Sequence, residues 1–283
     1  MRLGLDVGYK SIGMAVVKGN DILDYIDKPI ATNKRDCNRT IMDKMITSIH
    51  DVAKTRIKGI GLSLPSKIDE NKGTVYDISN IPYWKGMRIK RILEDEFNTK
   101  VWINNDINCL LLGEKYYGMC KDFRDVVCIS LGPNVGASII VNNKLFIENG
   151  YTFYNATCLS TPCYDCVRVY RNSFMRTIEE LNFLIKNYKE EMADMPDHDI
   201  WIELGVSVGR LVSILLSNYD PQVIVLAGSL AKSYTHFSKP MDKYLEKFIH
   251  PQILLNMIIF TSTAVHQRAL GATSMVKQPI MAE

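Results

Sequence analysis

The sequence predicts a two-domain α/β protein that uses one pattern twice, and three observations predict it. First, Leu3 to Val17 reads as two strands around a turn at Gly8 to Ser11, and Asn20 and Asp21 turn the chain into a third strand, Ile22 to Ile26. Second, the same order of strand, glycine turn, strand, polar turn and strand returns from Val126 to Ile147, with Gly132 to Gly136 and Asn142–Asn143 as the turns. This is a repeat of topology rather than of residues. Third, a length of 283 residues suits two domains of moderate size. The expected domains are residues 1–118 and 119–283, with the last helix packing back on the N-terminal one.

After the first meander, Ile41, Met42, Met45, Ile46, Ile49 and Val52 repeat at helical spacing. Gly59 to Pro65 (GIGLSLP) is a strand ending at a loop, Asp69 to Gly73 a turn, and Thr74 to Ile78 a strand. Asn80 to Gly86 (NIPYWKG) is a loop, and Ile89, Ile92, Leu93 and Phe97 make a short amphipathic helix. In the second half, helices are expected at Phe174–Tyr188, Ile202–Tyr219, Met241–Ile249 and Gln267–Val276. Strands are expected at Gln222–Ala227, ending in a turn at Gly228 and Ser229, and at Met257–Thr261. Gly205 and Gly209 share one helix face, so they either admit a close neighbour or are simply tolerated.

The pivotal stretch is Val101 to Glu114 (VWINNDINCLLLGE). An apolar strand-type run, Val101 to Ile103, turns polar at Asn104, Asn105 and Asp106 and then becomes a helix through Cys109 to Leu112. In open α/β sheets ligands bind where strands hand over to helices. Asp106, partly desolvated there, can accept a proton from a bound hydroxyl. It can equally be an ordinary Asx N-cap, and the two roles do not exclude each other.

Composition narrows the function classes. Hydrophobic content of 47% and charged content of 23% are ordinary for a globular protein. The net charge is +3, and Lys34, Arg35 and Arg39 form only a loose cluster, so no nucleic-acid partner is expected. No apolar run approaches a membrane span, and Met1 to Val17 is a strand pattern rather than a signal peptide. A reducing cytoplasm is the expected location. Seven cysteines are present. Cys37, Cys109, Cys120 and Cys128 are isolated, and Cys109 and Cys128 lie in apolar runs that suit buried thiols. Cys158, Cys163 and Cys166 cluster at spacings that suit a metal loop, yet three thiols with no nearby His fall short of a closed four-ligand zinc site. Zinc binding and free thiols both remain open.

Two meander-plus-helix halves with glycine turns near residues 8 and 132 resemble the two-domain actin-like ATPase (ribonuclease H-like) fold of sugar kinases, with its central cleft. GIGLSLP, NIPYWKG, NNDINCLLLGE, ISLGPNVGASIIVNNKL, DPQVIVLAGS and ALGA follow in that order. The ordered set resembles the ROK family (repressor, open reading frame, kinase) over nearly the whole chain. The resemblance implies an ATP-dependent sugar kinase with Asp106 as the base and Asn80 and Asn105 orienting the sugar, Ser66 lying on the loop that faces it. It implies that ATP phosphates are held by Asp6, Gly8, Lys10 and Ser11 of the first turn and by Gly132, Asn134 and Gly136 of the second. Gly228 would let the nucleoside approach the backbone, and Asp6 would hold Mg²⁺ through water. Phosphoryl transfer asks the protein for this kind of positioning, charge neutralisation and a base. Relatives are often dimers, so a homodimer is expected. The repressor branch carries a helix-turn-helix before the first turn, which here begins at Asp6, so none is expected.

The departures from the family pattern are specific. DVGYK puts Lys10 where a Thr is usual, and LGPN puts Pro133, which has no N–H, in the second turn. Lys10 either charges the phosphate site directly or is a solvated turn residue. FYNAT puts Tyr154 and Thr157 where the family has Glu and His, and Arg168 falls where a further Glu is usual. Tyr154 and Arg168 would make the sugar site bulkier and more positive. The acceptor is expected to be a hexose or N-acyl hexosamine. The rival reading is a sugar-binding sensor with little or no kinase activity.

Overall fold

The computed structural model describes residues 1–8, 11–30, 38–52, 56–69, 72–77, 84–132, 135–148, 151–152, 164–188, 199–262 and 264–276. Two compact units emerge. Unit 1 comprises Met1–Lys121, Asn149–Tyr151 and Ala264–Glu283; unit 2 comprises Asp122–Glu148 and Thr152–Thr263.

Unit 1 opens with the expected meander, β1 (Arg2–Val7), β2 (Ser11–Lys18) and β3 (Asp21–Pro29). Then come α1 (Asn38–Val52), β4 (Gly59–Leu64), a small hairpin of β5 (Lys67–Asp69) and β6 (Thr74–Asp77), α2 (Ile89–Phe97), β7 (Val101–Asn105) and α3 (Asp106–Tyr116). Five strands form one sheet in the order β3-β2-β1-β4-β7. The meander pairs antiparallel, while β1, β4 and β7 run parallel.

The two faces of this sheet differ because side chains alternate along a strand. One face carries Leu3, Leu5, Val7, Ile12, Met14, Leu62 and Ile103, all buried with Met45 and Ile49 of α1, Leu93 of α2 and Trp84. Each such side chain contributes about 1.5–3 kcal/mol of burial. The other face is lined by small residues, Gly4, Ala15 and Gly61. The helix formed by Gln267–Met275, the last described element of the chain, packs on that face.

Unit 2 repeats the plan with β8 (Val126–Ser130), β9 (Gly136–Val141) and β10 (Lys144–Leu145). β11 (Ile147–Glu148) and β12 (Tyr151–Thr152) pair separately. Next are α4 (Tyr164–Asn187), α5 (Ile200–Tyr219), β13 (Val223–Ala227), a 3₁₀ turn (Ser229–Ser233), α6 (Tyr234–Phe248), α7 (Pro251–Asn256) and β14 (Ile258–Ser262). The Gln267–Met275 helix is α8. The sheet order β10-β9-β8-β13-β14 matches that of unit 1 strand for strand.

Three expectations need adjustment. The α4 helix begins at Tyr164 rather than Phe174, so Cys166 and Arg168 lie on a helix and not in a metal loop. The spacing of Val167, Tyr170 and Phe174 continues the helical pattern. The α6 helix begins at Tyr234, with Pro240 inside it. Tertiary packing holds it there: a Cβ on Gly205 of α5 would lie 2.8 Å from Pro240 Cβ, and one on Gly209 would lie 3.0 Å from the Met241 carbonyl. Gly205 and Gly209 therefore serve close approach, the first of their two readings. Lastly, α5 is long and apolar enough by composition to cross a membrane. Its Leu204, Val208, Leu211 and Leu215 are instead fully buried in the unit 2 core.

Candidate active site

A polar row crosses the unit 1 sheet near the carboxyl ends of its parallel strands. In register lie Asp27 of β3, Gly13 of β2, Asp6 of β1, Ser63 of β4 and Asn104 of β7. These residues share the face of Gly4 and Gly61, two positions earlier on β1 and β4. Lacking side chains, those glycines let α8 settle directly on the sheet: a Cβ on Gly4 would overlap the Ala269 carbonyl, and one on Gly61 that of Ala272. The α3 and α8 helices cross at the same close range. A Cβ on Gly113 would overlap the Gln267 carbonyl, and one on Gly271 that of Cys109. This packing delivers the first turn of α8, with Arg268, to the start of α3.

Asp106 is the first residue of α3, and it is not the cap. Asn105 takes that role, with φ −73° and ψ 161°, its Oδ1 accepting the Asn108 N–H at 2.8 Å. Asn104 backs the arrangement, its Oδ1 accepting the Asn105 N–H at 2.7 Å and the Asn108 side-chain amide at 2.8 Å. Of the two readings for Asp106, the cap position belongs to its neighbour, while the Asp106 carboxylate still accepts first-turn backbone N–H groups, that of Ile107 among them. That carboxylate is 19% exposed, with Arg268 Nη2 at 3.7 Å from Oδ2. Burial raises its pKa, and Arg268 and backbone N–H groups of the first turn oppose the rise. Burial also pushes Asp6 up to about 6, against Arg268 and the Ser63 hydroxyl, which donates to Oδ1 at 2.8 Å. Asp106 and Asp27 add to the rise.

Tyr25 roofs this end of the row. Its hydroxyl occupies the space a Cβ on Gly13 would fill, and its ring lies against His266, with centroids 3.3 Å apart. Burial pushes its phenol up to about 12, with Asp6 and Asp27 contributing.

The other expected residues fall as follows. Ser66 is buried just past β4, its N–H bonded to the Leu64 carbonyl at 2.9 Å. The Gly8 N–H donates to the Ser11 carbonyl at 2.9 Å, so it closes the hairpin rather than facing a phosphate. Gly136 lies in β9 opposite Ser130, outside the turn where it was expected. Gly132 is open, with Ser229 Oγ the nearest neighbour of a would-be Cβ at 3.9 Å. Gly228 holds a φ of 94°, and a Cβ there would also overlap the Leu131 backbone. The backbone that approaches it closely is the protein's own. Lys10, Asn80, Asn134, Tyr154, Cys158 and Cys163 lie outside the described residues, as do the side chains of Cys166 and Arg168. Among the described residues no group of three or more His, Cys, Asp and Glu side chains is disposed to hold a metal.

Sequence reasoning missed Ser63, Tyr25 and Arg268. Ser63 was visible as the one polar residue inside the apolar GIGLSLP run, and Arg268 as the one charge beside the small-residue segment ALGA. Asp6 does not fit the expected Mg²⁺ role: its Oδ1 is engaged by Ser63, and the guanidinium of Arg268 already compensates the carboxylates around it.

A duplicated β-β-β-α-β-α-β plan with a carboxylate at the β7–α3 handover defines an actin-like, ribonuclease H-like α/β protein. Residues 2–151 match the ROK family, and the chain belongs to that family. It is 25% identical to the glucokinase of Halalkalibacterium halodurans over 290 residues, covering 89% of this chain and 87% of that one. It is 23% identical to the xylose repressor of Bacillus spizizenii, covering 97% of this chain and 76% of the repressor. The fold is that of the ROK family glucokinase from Streptomyces griseus solved with glucose and AMPPNP (TM-score 0.70, 20% identity, covering 98% of this chain and 99% of the other).

Proposed function

We propose that this protein is an ATP-dependent sugar kinase in which Asp106 is the general base. The observation that carries the reading is the division of labour at the α3 start. Asn105 occupies the cap position, and first-turn backbone N–H groups hold the Asp106 carboxylate in place beside Arg268. Burial makes it a better base than an exposed aspartate, while Arg268 favours its anionic form. ATP supplies the phosphoryl group and brings Mg²⁺ on its own phosphates. Asp106 takes the proton of the attacking sugar hydroxyl, and Asn80 and Asn105 orient the ring. Gly132, on the turn after β8, offers an open surface to phosphates. The acceptor is a hexose or N-acyl hexosamine, and the working form is a cytoplasmic homodimer.

The second reading, a sugar-binding sensor, is favoured by the engaged Gly8 amide and by the repressors among the relatives. One experiment separates the two. Phosphorylated sugar is measured for the parent and Asp106→Asn across a panel of hexoses and N-acyl hexosamines, with sugar binding followed by calorimetry. A kinase loses roughly 10²–10⁴-fold in turnover on this change while still binding sugar. Sugar binding by a parent that forms no product would establish the sensor instead.

A further inference from the structure

We propose that Arg268 is a tethered cation for the acidic end of the unit 1 polar row: its guanidinium lies against Asp106, at the end of the row that carries Asp6, so these carboxylates take up no free Mg²⁺ of their own. The proposal concerns the pocket's charge and stands whether or not the protein phosphorylates sugars.

Arg268 lies in the first turn of α8, and α8 cannot back away without opening the contacts at Gly4, Gly61, Gly113 and Gly271. The cation is therefore built into the packing of the domain and does not hang from a mobile loop. It lies 3.7 Å from Asp106 and lowers the pKa of both Asp106 and Asp6, so it acts on the two carboxylates together.

A guanidinium stays charged at any working pH and is more weakly hydrated than an ammonium ion. Mg²⁺ instead asks for near-octahedral oxygen ligands and gives up its waters reluctantly. Bringing it to this pocket would set a divalent ion against a fixed positive charge, in surroundings where screening by salt is weak. It would also compete with the Ser63 hydroxyl for Asp6 Oδ1. A tethered cation has the opposite merit for a neutral polyol: the charge is present before the ligand arrives, and no metal hydration shell has to be removed.

The test uses Mn²⁺ alone as the probe, with full-length protein and neither nucleotide nor sugar. Binding is read by electron paramagnetic resonance of the free ion and by paramagnetic broadening of unit 1 amide signals. The parent and Arg268→Lys are expected to show no Mn²⁺ site near Asp6 and Asp106 tighter than millimolar. Arg268→Gln and Arg268→Ala are expected to gain one at least tenfold tighter, and the added change Asp6→Asn should abolish it. A parent that already binds Mn²⁺ at these carboxylates would overturn the proposal. So would an Arg268→Gln variant that is folded by circular dichroism and gains nothing. Absence of sugar phosphate from the parent would sink the kinase reading and leave this result untouched.

Discussion

Asp6 holds its proton more tightly in the folded protein than in the unfolded chain, because burial outweighs the help of Arg268 and Ser63. A folded-state pKa near 6 against 3.8 unfolded means that this residue's contribution is most favourable below pH 4 and is lost as the pH rises through 6. The difference is at most ~3 kcal/mol. Asp6→Asn, whose amide oxygen can still accept from Ser63, is thus expected to raise the melting temperature at pH 7. It should also flatten the change between pH 4 and 7, as followed by calorimetry in matched buffers. An unchanged pH profile would mean that Asp6 is well compensated. Asp6 was legible because it interrupts an apolar strand pattern, and Asp106 because it closes the polar triplet where an apolar strand gives way to a helix. Arg268 stood out only as a charge beside ALGA, because nothing in its own helix signals a partner so remote along the chain. The capping role of Asn105 was hidden too: three consecutive Asx-type residues all qualify, and only the backbone angles choose among them.

The α3–α8 crossing is the element on which the site depends, and it rests on two glycines used for closeness rather than for unusual angles. Gly271→Ala would drive a methyl group into the Cys109 carbonyl. The expected cost is about 1–3 kcal/mol, as for other overpacked cores. Because the helices must separate, protection of the α3 amides should fall in hydrogen exchange as well. Asn105→Ala removes the cap and is expected to cost ~1 kcal/mol, with Asn105→Ser or Asn105→Asp restoring most of it in chemical denaturation. Equal stability of all three variants would remove the cap from the account. Most strands and helices could be read from periodicity, since their apolar positions are also their buried ones. The early start of α6 could not. Proline argues locally against a helix at Pro240, and only the groove offered by Gly205 and Gly209 reverses that argument.

At the scale of the molecule, the duplicated meander was legible because turn residues mark it twice, although the two copies share little sequence. A helix pattern does not by itself say which sheet will receive it, and α8 joins unit 1 only after unit 2 has intervened in the chain. Unit 2 is nearly continuous and has its own core, from Val127 to Ile249. A fragment of residues 122–263 is therefore expected to fold cooperatively by itself. A fragment of residues 1–121 should do so only when a peptide containing α8 is added, as circular dichroism would show. Cooperative folding of 1–121 alone would mean that the glycine-lined face tolerates exposure. The late position of α8 also bears on how the protein is made. Ribosomes generally release domains to fold from the N-terminus onward, at roughly 5–20 residues per second. Here the first unit to leave the tunnel is the last that can be completed. For roughly ten to thirty seconds its bare glycine seam and two uncompensated acids wait for the tail.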